Sequence, residues 1–213
     1  MADIFQEVED DLKQENLKKI WKKYGALFGA VSVVVIAATA GWQGWKAYDL
    51  SVREEQSAVF YQAAEIFAAG DLQAAGQLLE QVGDAADGYG VLARFTTAQI
   101  AADEGRVEEA VALWDQLSAE KLPVEQMSDI AAYLAALHLL EQKDFTGSRE
   151  RVALLTRAGS ALYGHALELQ GLIALEEGDK ASARQTFEQL AQDAEVSGSL
   201  KSRAERILSV IGE

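Results

Sequence analysis

The hydrophobic pattern separates one stretch that has no charged position from a long remainder with helical periodicity. Tyr24 to Trp45 reads YGALFGAVSVVVIAATAGWQGW, 22 residues without a charge, closed by Lys23 and Lys46. A helix of that length spans roughly 33 Å at about 1.5 Å per residue, enough to cross a hydrocarbon core of about 30 Å. Trp21 and Tyr24 stand at one end and Trp42 and Trp45 at the other, and amphipathic rings favour the two membrane–water interfaces. The stretch therefore predicts a single transmembrane helix over 24–45. A cleaved signal peptide would use Ala38-Thr39-Ala40 as its small-x-small site. Its n-region would then be 23 residues long with six acidic groups, where signal peptides carry a short basic one.

Beyond the anchor the apolar positions recur with a longer period. A helix-ending signal followed by a similar helix occurs at Gly70-Asp71, Gly105-Arg106, Lys143-Asp144 and Gly178-Asp179, spaced 35, 38 and 35 residues apart. Seven residues before each mark lies a small residue (Ala63, Ala98, Ala136, Gly171), and five after lies another (Ala75, Ala110, Ser148, Ala183). Nine after come Leu79, Trp114, Val152 and Phe187, and twelve after come Val82, Leu117, Leu155 and Leu190. Two antiparallel helices cross closely only where small residues meet, and the bulky residues that follow fill the space against the next unit. The pattern predicts helix pairs at 46–69 with 71–83, 88–104 with 106–119, 124–142 with 145–157, and 159–177 with 179–194. A last helix over 198–211, with Leu200, Ala204, Ile207, Leu208 and Ile211 on one face, suits a cap. Gly83 to Gly88 is a turn-rich connector.

The expected fold is thus all-α: an N-terminal transmembrane helix, then an α-solenoid of about four helix pairs with a C-terminal capping helix. The period and the small-small-large spacing resemble the tetratricopeptide repeat, in a degenerate form that lacks the closing proline. The expected organisation is 1–23 as a cytoplasmic segment, 24–45 as the span and 46–213 as the repeat domain. In 1–23, Ile4, Phe5, Val8, Leu12, Ile20 and Trp21 fit either an amphipathic helix with acids early and lysines late or a loosely ordered tail. Lys18, Lys19, Lys22 and Lys23 crowd the N-terminal flank, whereas Lys46 and Arg53 stand among Asp49, Glu54 and Glu55 on the other. The side richer in lysine and arginine stays cytoplasmic. The N-terminus is therefore expected inside and the repeat domain outside, which for a Gram-negative inner membrane means the periplasm.

Charge and composition narrow the chemistry. The chain carries −15; its first 23 residues hold five lysines against six acids, or −1, and the anchor none, which leaves −14 beyond it. Such a domain lacks the basic footprint of a nucleic-acid binder. The absence of cysteine rules out disulfides, thiolate metal sites and cysteine nucleophiles, and leaves no residue for a lipoprotein anchor. His138 and His165 fall in first helices of different units, and His165 has no partner at metal-ligand spacing. No GxSxG, P-loop or HExxH motif is present, so no catalytic, metal or cofactor residue is expected. Glu108-Glu109 and Glu176-Glu177 read as solvated helix faces. Phe60, Phe95 and Tyr133 share one register position, ten before each mark, where the fourth unit has Glu168. This row either lines a partner-binding groove on the first helices or packs between units. Gly25 and Gly29 form a GxxxG in the span, and Ala37 and Gly41 repeat the small spacing. Such notches admit a second helix, and they also arise by chance in Ala/Gly-rich spans.

The acidic-then-lysine opening DIFQEVEDDLKQENLKKIWKKYG, the uncleaved span, the exit Gly41-Trp42-Gln43-Gly44-Trp45 and the degenerate repeats occur together. The stretch from Gly41 to Glu65 carries most of the likeness. In this the chain resembles the ancillary SecYEG translocon subunit family, the YfgM-like membrane-anchored tetratricopeptide proteins. That resemblance implies an inner-membrane protein with a periplasmic repeat domain and no catalytic residues or cofactor. Its partners would be Sec translocon subunits, exported polypeptides, and a periplasmic chaperone or membrane-anchored peptidyl-prolyl isomerase homologue. A scaffold for division or cell-wall synthesis machinery is the alternative the same fold would serve.

Overall fold

The computed structural model describes the backbone of residues 2–83, 88–157 and 159–212, and, within these stretches, the side chains of Lys18 and of residue 21 onward. The side chains of Ile4, Phe5, Val8, Leu12 and Ile20, and the connector residues 84–87, lie outside the described residues. Among the described residues nine helices follow one another: α1 (Ala2–Ala68), α2 (Leu72–Gly83), α3 (Gly88–Asp103), α4 (Val107–Ala119), α5 (Gln126–Glu141), α6 (Phe145–Leu155), α7 (Tyr163–Glu176), α8 (Lys180–Gln192) and α9 (Gly198–Ile211). The chain divides into two compact units, Met1–Glu55 and Gln56–Glu213.

In the first unit α1 includes a helix long and apolar enough to cross a membrane, and none of its apolar window is buried by protein. Leu27, Phe28, Val31, Val33, Val34 and Ile36 are all more than half exposed. An all-round apolar helix with nothing packed on it has the character of a membrane span. Its hydroxyls are satisfied within the helix: Ser32 Oγ donates to the Phe28 carbonyl and Thr39 Oγ1 to that of Val35, both at 2.8 Å, which removes the cost of bare polar groups in lipid. This N-terminal helix fits single-pass membrane anchoring.

The second unit is a stack of helix pairs. From α2 to α9 each helix packs on its successor, and the first helices α5 and α7 also touch, as do α7 and α9. The four marks are all helix stops of one kind. Gly70, Gly105, Lys143 and Gly178 have φ of 88°, 80°, 61° and 82°, the left-handed turn that ends a helix. In each, the next N–H reaches back to a carbonyl five residues earlier: Asp71 to Ile66, Arg106 to Ala101, Asp144 to Leu139 and Asp179 to Ala174. Three of the following residues then cap the second helix. Asp71, Asp144 and Asp179 accept from the backbone N–H of Ala74, Gly147 and Ser182. Arg106 has no such side chain to offer and pairs with Glu104 and Glu109 instead.

All sixteen repeat positions are buried. The small residues let the backbones approach, and the large ones form clusters shared with the next unit: Trp114 packs with Ala131 and Ala135, and Phe187 with Leu200 and Ala204. Two crossings show how tight the fit is. Ser148 Oγ, fully buried, donates to the Ala136 carbonyl at 2.7 Å. A Cβ on Gly171 would come within 2.7 Å of the Phe187 ring, so only glycine leaves room for that ring at the crossing.

Two helix starts differ from the sequence pattern. α5 begins at Gln126 and not near 124, because the residues after Pro123 form turns, with Met127 N–H on the Val124 carbonyl and Ser128 N–H on that of Glu125. α7 begins at Tyr163 and not at 159. Gly159 takes φ 86°, and Ser160 donates to buried Asp129 at 2.8 Å, which Arg157 also binds. The connector is held by α5 and cannot join the helix.

Gly171→Ala should destabilise the repeat domain by about 1–3 kcal/mol through overpacking, read by denaturant unfolding, and Phe187→Leu in the same chain should recover most of it. Lys143→Gly should stabilise by about 1 kcal/mol, because the left-handed turn strains any residue with a Cβ, seen as a higher melting temperature.

Candidate functional site

The only side chains the sequence nominates for partner binding are the register row on the first helices. Phe60 is half-buried against Ala63 and Leu79, with its ring centroid 6.0 Å from Tyr89 of the next unit and 6.1 Å from Tyr61. Phe95 packs against the cluster that joins Val91, Ala98 and Trp114 to the next unit's Ala131. Tyr133 packs against Ala132 and Ala166, with its ring 6.1 Å and edge-on from His165. Each of the three is therefore a wedge between its own unit and the next that keeps one side in solvent. Burial holds the Tyr133 phenol above its usual range, and the Glu168 carboxylate pushes it the same way, against the opposing Arg203.

Glu168 breaks the aromatic row for a structural reason. The element after its unit is the cap α9, which offers Arg203, and the two side chains pair, with Glu168 largely buried and Arg203 about half exposed. The position does the same work in all four units, contacting whatever follows.

Sequence reasoning missed the residues that make this face accessible. Leu92 and Ile130, three before Phe95 and Tyr133, are 39% and 41% exposed. The corresponding positions hold Ser57 in the first unit and His165 in the fourth. The spacing of three on a first helix was the available signal, but exposure of an aliphatic side chain is not written in its identity.

The two histidines are separate. His138 stacks on Trp114 of the preceding unit, ring centroids 4.8 Å apart and 17° between planes, with Nδ1 3.1 Å from Glu141. It sits five before its mark, where Ile100 and Ile173 are buried in the second and fourth units. His138 is a packing residue with a polar edge. Among the described residues no group of three or more His, Asp or Glu could hold a metal.

Among the clefts on the repeat domain, two involve the helix connectors. One of about 740 Å³ lies between α4 and the α5–α6 turn. Most of its charged residues are committed to structure: Arg106 to Glu109, Asp115 to Arg151 of the next unit at 2.6 Å, and Asp144 to capping α6. The other, about 950 Å³, lies between the α6–α7 and α8–α9 connectors and includes His165 and Asp193. In the first unit, the Trp21 indole lies against Gly25, 3.5 Å from where a Cβ would stand, while Gly29 is open. Trp21 thus fills half of the GxxxG notch.

A tetratricopeptide repeat-like domain model matches residues 18–208. The chain belongs to the tetratricopeptide repeat-like family. No curated protein and no solved structure is similar enough to this chain to count as a match. Tetratricopeptide repeat-like stacks act as protein–protein interaction modules, because each unit adds to one extended surface. In this one, the exposed part of that surface on the first helices is the Leu92, Phe95, Ile130 and Tyr133 face.

Arg203→Ala should destabilise the domain by about 1–2 kcal/mol, because it leaves the Glu168 carboxylate largely buried without its partner. The pair of changes Glu168→Phe and Arg203→Ala should be close to wild type, since it extends the aromatic row to the cap. Thermal unfolding of the three proteins checks both.

Proposed function

We propose that this protein is an inner-membrane adaptor that associates with Sec translocon subunits and helps pass exported polypeptides to periplasmic chaperones, including a membrane-anchored peptidyl-prolyl isomerase homologue. Residues 24–45 cross the membrane once, 1–23 remain in the cytoplasm, and 46–213 are periplasmic. The lysines at 18, 19, 22 and 23 support that orientation. The observation that carries the reading is one chain that joins an apolar helix with no protein cover to a repeat domain with apolar side chains in solvent on its first helices. An anchor keeps such a surface at high local concentration beside an export site, where weak contacts suffice for a hand-off. The wedge residues Phe60, Phe95 and Tyr133 would contribute the flanks of the partner surface, and Gly25 and Gly29 a contact with another membrane helix. The resemblance to the translocon-associated family supports the choice of partners.

In-cell crosslinking of the tagged full-length protein, followed by mild-detergent purification and mass spectrometry, should enrich translocon subunits and periplasmic chaperones. Enrichment of division or wall-synthesis proteins with the translocon at background would overturn the assignment in favour of a scaffold for that machinery.

A further inference from the structure

The exposed face of the first helices continues past its apolar residues. On α3, Leu92, Phe95, Gln99 and Asp103 follow at spacings of three, four and four, and on α5 Ile130, Tyr133, Leu137 and Glu141 do the same. On α7 the matching residues are His165, Glu168, Leu172 and Glu176. Such spacings keep side chains on one stripe of a helix, and the Gln99 side chain does reach Asp103, donating at 2.8 Å. Each stripe thus ends in a carboxylate, and the equivalent helix ends lie along one edge of the stack. These acids stand where the helix dipole favours a cation, and the last turns of α3, α5 and α7 hold no Lys or Arg. All three are exposed, and among the described residues none has a Lys or Arg partner: Asp103 has Gln99, Glu141 has His138, and Glu176 stands alone. Local pairing accounts for Asp103 and Glu141 in part and for Glu176 not at all, and no Lys or Arg offsets any of the three among the described residues.

We infer that this face selects polypeptide segments that are apolar along one side and carry lysine or arginine at one edge. The aliphatic and aromatic residues of units two and three take the apolar side chains, and Asp103, Glu141 and Glu176 take the cations. The inference rests on the adaptor reading above and names the chemistry of what is handed over. Charge complementarity decides the occupant: an acidic segment would meet three carboxylates with no Lys or Arg partner among the described residues, as well as the −15 of the whole chain.

The test is fluorescence anisotropy with the full-length protein in non-ionic detergent. The probes are a labelled Ala/Leu peptide bearing lysines on one side and its counterpart bearing glutamates in the same places. The lysine peptide should bind about tenfold more tightly at low ionic strength, the sum of a few exposed pairs. The difference should vanish near about 1 M salt, where screening acts within about 3 Å. Asp103→Lys with Glu141→Lys and Glu176→Lys should reverse the preference, and these changes suit the helix dipole, so the fold is retained. Leu92→Ser with Ile130→Ser should weaken both peptides. Equal affinity for the two peptides, with loss of both in the serine variant, overturns the charge selection and leaves the docking face intact. Binding that survives the serine variant, or no binding of either peptide, overturns the docking face itself. A dimer that the serine changes dissociate assigns the face to a second copy and overturns both.

Discussion

Close approach of two helix backbones is the constraint from which the rest of the repeat domain follows. Within each pair the helices meet at Ala63 and Ala75, Ala98 and Ala110, Ala136 and Ser148, or Gly171 and Ala183; all eight are buried, and a Cβ on Gly171 would already meet the Phe187 ring. Because the backbones are close there, the large residues one and two turns along the second helix fill the space beside the crossing and reach beyond it. The Phe187 ring lies against Gly171 of its own pair, and Trp114, Val152 and Phe187 each belong to a cluster completed by residues of the next unit. Burial of such residues contributes about 1.5–3 kcal/mol each, so the stacking of units is a consequence of the crossing and not a separate device. The crossing also tolerates chemical variation only with compensation. A hydroxyl at Ser148 is accepted because the Ala136 carbonyl is within reach, and a phenyl ring at 187 because the opposite residue is glycine.

The same contact fixes the roll of each first helix. The small residue seven before the mark faces the helix's own partner, and the residue five before it, Ile100, His138 or Ile173, faces the preceding unit. With two sectors committed, one remains for solvent, and it is the sector that carries Leu92 and Phe95, Ile130 and Tyr133. In the first unit the position five before the mark is Glu65, exposed, so the end of the stack is polar where the interior is apolar. That face is therefore what the packing leaves over. Its orientation is as firmly set as the core.

What was legible in the sequence is what is local. Helix stops, aspartate caps and the small-large spacing depend on residues within one pair, and all sixteen register positions are where the spacing put them. Even Lys143, the one non-glycine stop, was legible because its neighbours kept the register. What was not legible depends on how units are placed against each other. Asp115 and Arg151 lie in successive second helices, and nothing in either local segment announces the pair. The identity of residue 168 reads as a gap in an aromatic row until the cap supplies Arg203. Phe60, Phe95 and Tyr133 are partly buried, and the packed side of each depends on the neighbouring unit, which no local segment announces. The starts of α5 and α7 shifted because tertiary partners, Asp129 above all, held connector residues that periodicity alone would have made helical.

The carboxylates at the two kinds of helix end differ in what explains them. Asp71, Asp144 and Asp179 open second helices, accept backbone N–H groups and meet the positive end of the dipole, so stability alone accounts for them. For Asp179 both the Ser182 hydroxyl and its N–H hold the carboxyl below its usual range. That depressed group adds stability above the ordinary carboxylate range, which is lost as pH falls through the folded value. Asp103, Glu141 and Glu176 close first helices, at the negative end, where an acid costs about 0.3–1 kcal/mol in each unit. A single such residue would be unremarkable. The same departure from local chemistry at one register position of three successive units, on the stripe that packing leaves exposed, is a pattern that folding does not require, and consistent local conflict of that kind is where function is to be sought.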